Sequence, residues 1–203
     1  MRRPFLLLLL VPGLVSGVAL GACAGPAATP GLDRDLPSPS PTARAFGTFA
    51  APGGENQAVT YDPAIVPVGS TAEVVRSLLG TGGETTVNVT GLVANRAYGA
   101  HLHVRPCGPT GDAAGPHYQH EQDPAASASP PSVDPSYANP LNEVWLDFTT
   151  DGTGAANVSI TQTWQFPAGE GARSLVIHAQ TTELAPGKAG TAGARAACLT
   201  LPA

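Results

Sequence analysis

The chain has 203 residues with 10 lysines and arginines against 15 acidic side chains, a formal charge of −5 that leaves no basic stripe for nucleic acid. Only 12% of the residues are charged, whereas 24 are glycine and 21 proline, a composition that suits a loop-rich β protein. No stretch sustains helical periodicity.

Arg2 and Arg3 precede an apolar run from Phe5 to Val11, continued by Leu14, Val15, Val18 and Leu20. Pro12 and the glycines at 13, 17 and 21 interrupt it, whereas a membrane-spanning helix needs about 20 apolar residues in succession. Residues 1–22 therefore read as a secretory signal peptide. The closing Leu20-Gly21-Ala22-Cys23 resembles the lipobox of bacterial lipoproteins. That resemblance implies an exported protein acylated at Cys23 and anchored by lipid to the outer face of a bacterial cell membrane. An ordinary signal peptide cut nearby, with Cys23 incidental, is the other reading. Removing Arg2 and Arg3 leaves 8 basic against 15 acidic residues, so the mature chain is more acidic still.

Residues 23–57 carry Pro26, Pro30, Pro37, Pro39, Pro41 and Pro52 among alanine, serine, threonine and glycine. Such a segment buries too little apolar surface to offset its chain entropy and is expected to be an extended tether. Phe46 and Phe49 are its aromatic residues and are candidates for docking on the domain. Residues 58–203 then form one domain of ordinary size.

Within that domain, residues 58–65 and 71–78 are β-branched and apolar runs bounded by proline and glycine. Residues 85–92 alternate at period two, as a half-buried strand does. Segments 98–104, 143–149, 156–164 and 173–179 follow, with Asp151-Gly152 as a tight-turn signal. Seven or eight short strands predict an all-β, antiparallel Greek-key sandwich.

The histidines carry the chemistry. His101-Leu102-His103 on a strand sets both imidazoles on one face and Leu102 on the other. Two imidazoles side by side suit a borderline metal such as copper, although an isolated pair reads equally well as exposed and solvated. Here the pair is followed by Cys107, by Gly115-Pro116-His117, by Val176-Ile177-His178 and by Gly193-Ala194-Arg195-Ala196-Ala197-Cys198.

In that order these elements resemble the copper/zinc superoxide dismutase family, over most of 58–203. The resemblance implies an immunoglobulin-like sandwich or flattened barrel with long metal-binding loops. It implies copper held by His101, His103, His117 and His178, with His117 in the place of the family's bridging histidine and a proton donor in turnover. Arg195 falls on the arginine that draws in and orients the superoxide anion, a role for a permanently charged, multi-donor group. The family's disulfide falls on Cys107 and Cys198, and the reaction implied is conversion of superoxide to oxygen and hydrogen peroxide.

The zinc half of the family pattern is absent from the sequence. After His117 only His120 remains in that region, and residues 119–140 are rich in proline, alanine and serine. Zinc is therefore not expected, and His117 needs a different partner on its other ring nitrogen, commonly a carboxylate. Glu143, Asp134 and Asp123 are the candidates, with Glu143 favoured because it follows a turn and enters a strand. The 179–194 loop holds only Glu183 and Lys188 as charged residues, which implies a more open site. The alternative function is a non-catalytic copper-binding or copper-buffering lipoprotein of the same fold.

Overall fold

A computed structural model describes residues 41–203 apart from 55, 128 and 168–170. The expected signal peptide and Cys23 lie outside the described residues. Two antiparallel sheets face one another. The first, in the order β1-β3-β4-β7, contains β1 (Pro41–Thr48), β3 (Thr71–Leu79), β4 (Gly82–Thr90) and β7 (Ala156–Gln162). The second, in the order β2-β9-β8-β5-β6, contains β2 (Ala58–Thr60), β9 (Arg195–Thr200), β8 (Ser174–His178), β5 (Ala97–His103) and β6 (Phe148–Thr149).

Period-two patterning explains the packing. Val87 and Val89 of β4 and Ala72 and Val74 of β3 point inward, each at most 1% exposed. They meet Leu102, Leu175, Ile177 and Leu199 of the opposite sheet, and Tyr98 stacks on Phe148 with ring centroids 5.2 Å apart. Strand β8 is buried along its whole length. Its Leu175 and Ile177 enter this core, while Val176 packs behind the sheet with Ala114 and Cys198.

Three boundaries differ from the sequence reading. Residues 41–48, assigned to the tether, form β1 and pair with β3 from Pro41↔Ser77 to Thr48↔Thr71. Phe49 beside them is 1% exposed in the core, whereas Phe46 is 60% exposed. Gly47 permits the close approach, because a Cβ there would stand 2.5 Å from that of Ala58. The domain therefore extends N-terminal to 58, since hydrogen bonds in a sheet edge compensate for a composition poor in apolar residues.

The strand expected over 58–65 stops at Thr60. Asp62 turns the chain instead, accepting the Ile65 and Val66 N–H groups on its carbonyl. The strand expected over 143–149 shrinks to Phe148–Thr149. Leu146 N–H still reaches the Ala100 carbonyl at 2.7 Å, but Ala100 N–H is taken by the Asp147 carboxylate at 3.2 Å, which interrupts the ladder. The turn at Asp151 is present, its Oδ1 accepting the Thr153 and Ala155 N–H groups, and it carries the chain from one sheet to the other.

Candidate metal centre

Strand alternation turns His101 and His103 of β5 away from the core, yet both are fully buried because loops cover that face. His178 lies on the neighbouring strand, paired with Gly99. His117 arrives from the 114–118 segment, which runs along β5. Val104 N–H reaches the Pro116 carbonyl at 3.2 Å and Tyr118 N–H reaches the Leu102 carbonyl at 2.9 Å. Gly115, at φ +76°, makes the bend that aims His117 at His103. One ring nitrogen from each of the four histidines falls within 4.8 Å of all the others. The closest rings are those of His101 and His117, with centroids 4.1 Å apart.

The other nitrogens are held by the protein. His103 Nδ1 donates to the Gly115 carbonyl at 2.8 Å. His117 Nδ1 donates to Glu143 Oε2 at 2.6 Å. His101 Nε2 meets the Thr182 hydroxyl at 2.7 Å, and His178 Nδ1 lies 3.4 Å from the Gly193 carbonyl. Among the described residues His101 Nδ1, His103 Nε2 and His178 Nε2 are buried without a hydrogen-bond partner. Three orphaned acceptors in one small volume are costly unless something electron-poor lies among them.

Electrostatics keep those nitrogens unprotonated. Burial, followed by the neighbouring His117, holds His101 and His103 well below the ordinary imidazole range. Burial and then His117 lower His178 to about 3, against a weaker opposing effect of the Gly193 carbonyl. These three rings and that of His117, each with one nitrogen turned to the common space, form a donor set that fits a borderline divalent metal.

Glu143 is 1% exposed and has all its oxygens engaged. Besides His117 it accepts the Trp145 indole N–H at 2.6 Å and the Gln119 amide at 2.8 Å. The other carboxylates expected from sequence behind His117, Asp134 and Asp123, make their hydrogen bonds elsewhere. Asp134 takes the Ser136 N–H at 2.8 Å and shapes a turn, accepting Tyr137 and Ala138 N–H on its carbonyl. Asp123 takes the Ser132 hydroxyl at 2.6 Å and the Ala125 N–H at 2.8 Å, and those bonds lower its pKa. His120 lies flat on Trp164, centroids 4.7 Å apart and planes 2° off parallel.

Arg195 opens β9. A bulge between β8 and β9 leaves Ala196 without a partner on β8 and sets Arg195 opposite His178. The guanidinium donates to the Gly111 carbonyl at 2.9 Å and shares with His117 and His178 the lining of a cavity of about 500 Å³. Burial lowers its pKa, offset in part by Asp112. Three residues on, Cys198 is joined to Cys107 by a disulfide that ties the 104–117 segment to β9.

The model of the copper/zinc superoxide dismutase family matches residues 72–200. The chain belongs to that family. The chain is similar, at 20% identity and a TM-score of 0.45, to the copper/zinc superoxide dismutase from Brucella abortus, over 80% of this chain and all of that one. No curated protein matches significantly. Within the superoxide dismutase domain, Trp145, Asp147, Gln119 and Thr182 are contacts of the histidines or of Glu143 that sequence reasoning did not assign. Glu143-x-Trp145-x-Asp147 is the signal available for two of them, since alternate residues of an extended segment share a face.

Proposed function

We propose that this protein is a superoxide dismutase that works at a copper centre outside the cytoplasm, held to the membrane by a lipid on Cys23. The observation that carries the reading is the group of three buried, partnerless imidazole nitrogens beside Arg195. His101 through Nδ1, with His103, His117 and His178 through Nε2, would hold the metal. Copper, when bound, supplies one-electron exchange with superoxide.

The chain's own residues supply the rest. Arg195, with one N–H pinned to Gly111, retains further donors with which to orient a small anion. His117, whose side chain is 15% exposed, lines the cavity beside His178, and Glu143 fixes its Nδ1–H. Its Nε2 is then the atom that holds either the metal or a proton for the peroxide product. Two superoxide anions and two protons give one oxygen and one hydrogen peroxide. The engagement of His120, Asp123 and Asp134 elsewhere supports a copper site with no zinc beside it.

The test is superoxide turnover by the copper-loaded protein, with Arg195→Ala and His117→Ala beside it. Arg195→Ala is expected to lose activity while keeping copper, and His117→Ala to weaken both. Copper binding with no turnover in the wild type would favour a copper-buffering role instead. Metabolic labelling with palmitate, lost in Cys23→Ala, tests the anchor.

A further inference from the structure

His101 is fully enclosed, at 0% exposure between Trp145, His117 and His178. A neutral imidazole carries one proton, and whichever nitrogen bears it cannot bind a metal. What decides the matter is a chain of hydrogen bonds behind the ring. His101 Nε2 lies 2.7 Å from Thr182 Oγ1, and that hydroxyl lies 2.6 Å from Asp147 Oδ1. A carboxylate only accepts, so the single hydroxyl proton goes to Asp147 and Oγ1 has only lone pairs to offer His101. Nε2 must then be the protonated nitrogen, and Nδ1 is left as the free donor. Nδ1 is the His101 nitrogen found buried and without a partner.

Asp147 cannot do this alone, since its Oδ1 is 3.8 Å from His101 Nε2, beyond hydrogen-bond reach. The hydroxyl completes the connection and is itself firmly placed. Asp147 Oδ2 accepts the Thr182 N–H at 2.7 Å, so one carboxylate grips both the backbone and the side chain of Thr182. The segment carrying Thr182 lies against β5 because residue 99 is glycine. Gly99 N–H donates to the Gln180 carbonyl at 2.7 Å, and a Cβ there would stand 2.5 Å from that oxygen.

We propose that Thr182, directed by Asp147, is a positioning residue that locks His101 in its Nε2–H form and so presents Nδ1 to the metal. The inference rests on the copper reading above for its metal, but not for its tautomer. It therefore has two arms. In metal-free protein, long-range ¹H–¹⁵N spectra of the imidazoles should show wild-type His101 protonated at Nε2. Thr182→Val, which keeps the shape and removes the hydroxyl, should populate the Nδ1–H form, and Thr182→Ser should restore the wild-type signal. In the copper-loaded protein, Thr182→Val should alter the Cu(II) hyperfine pattern and weaken Cu(II) binding by roughly 10- to 100-fold, again with rescue by serine.

Wild-type His101 protonated at Nδ1 would overturn the proposal outright, whether or not the valine variant folds. So would a valine variant whose tautomer and Cu(II) spectrum both match wild type. Wild-type protein with the expected tautomer but no affinity for copper would count against the copper reading and leave the positioning role standing.

Discussion

Replacing Glu143 by glutamine removes one charge and almost no volume, so its effect isolates the hydrogen bonding at the back of His117. The carboxylate serves three donors: His117 Nδ1 and Trp145 Nε1 on Oε2, and Gln119 Nε2 on Oε1. An amide has one accepting oxygen. If that oxygen faces His117 and Trp145, the new NH₂ meets the Gln119 NH₂. Gln119 can turn over to accept it, but its own oxygen already takes the Asp123 N–H at 3.1 Å. If the oxygen faces Gln119, both ring N–H groups meet an NH₂. Every arrangement strands at least one donor, which costs about 1–3 kcal/mol for a buried group. Glu143→Gln should therefore lower the unfolding free energy of the metal-free domain by about that amount in urea titration. Losing the carboxylate behind a ligating imidazole should also weaken Cu(II) binding roughly 10- to 100-fold, read by competition with a chromophoric chelator. Unchanged stability together with unchanged affinity would mean that Glu143 does not hold His117, and the reasoning from its three contacts would fail.

Two further expectations concern the domain without metal. His178 is lowered from 6.5 to about 3 in the fold, so between those values the unfolded chain binds more protons than the native one. Stability should be greatest above pH 6.5 and fall as pH drops through that window, with His101 and His103 acting in the same direction. The loss from His178 alone is about 2 kcal/mol at pH 5, and urea midpoints that stay flat between pH 8 and 5 would contradict it. Replacing Cys107 and Cys198 together by alanine frees a loop spanning a sequence separation of 91. The chain-entropy model gives a loss of about 4–5 kcal/mol, which equilibrium unfolding of the oxidised wild type and the double variant would measure.

How far the sequence reaches depends on whether a feature is periodic or assembled. Alternation in 85–92 and in His101-Leu102-His103 yields a strand and a shared face, because side-chain direction is local. His117, His178, Arg195 and the cysteine pair were legible through family resemblance, since no local rule brings Cys107 to Cys198. Glu143 was reachable as a carboxylate entering a strand. Thr182 and Asp147 were not, being 35 residues apart and joined only by the pairing of loop and sheet. The strand β1 was hidden by Pro41 and its alanines, and β9 by the short Ala196-Ala197-Cys198 run.

The extended run from Glu143 to Asp147 serves two surfaces at once. Val144 and Leu146, both at 0% exposure, belong to the apolar core, while Glu143 and Asp147 lie behind two different histidines. A slip of one residue would send both carboxylates into the core and both aliphatic side chains toward the imidazoles, so neither surface could compensate for the other. Tolerance of a change in length is consequently unequal along the chain. The proline- and serine-rich stretch around 123–134 can change length at small entropic cost, since the clustered histidines lie outside it on either side. The five residues after Asn142 have no such freedom: they act as a ruler on which the spacing between two supports matters as much as their identity.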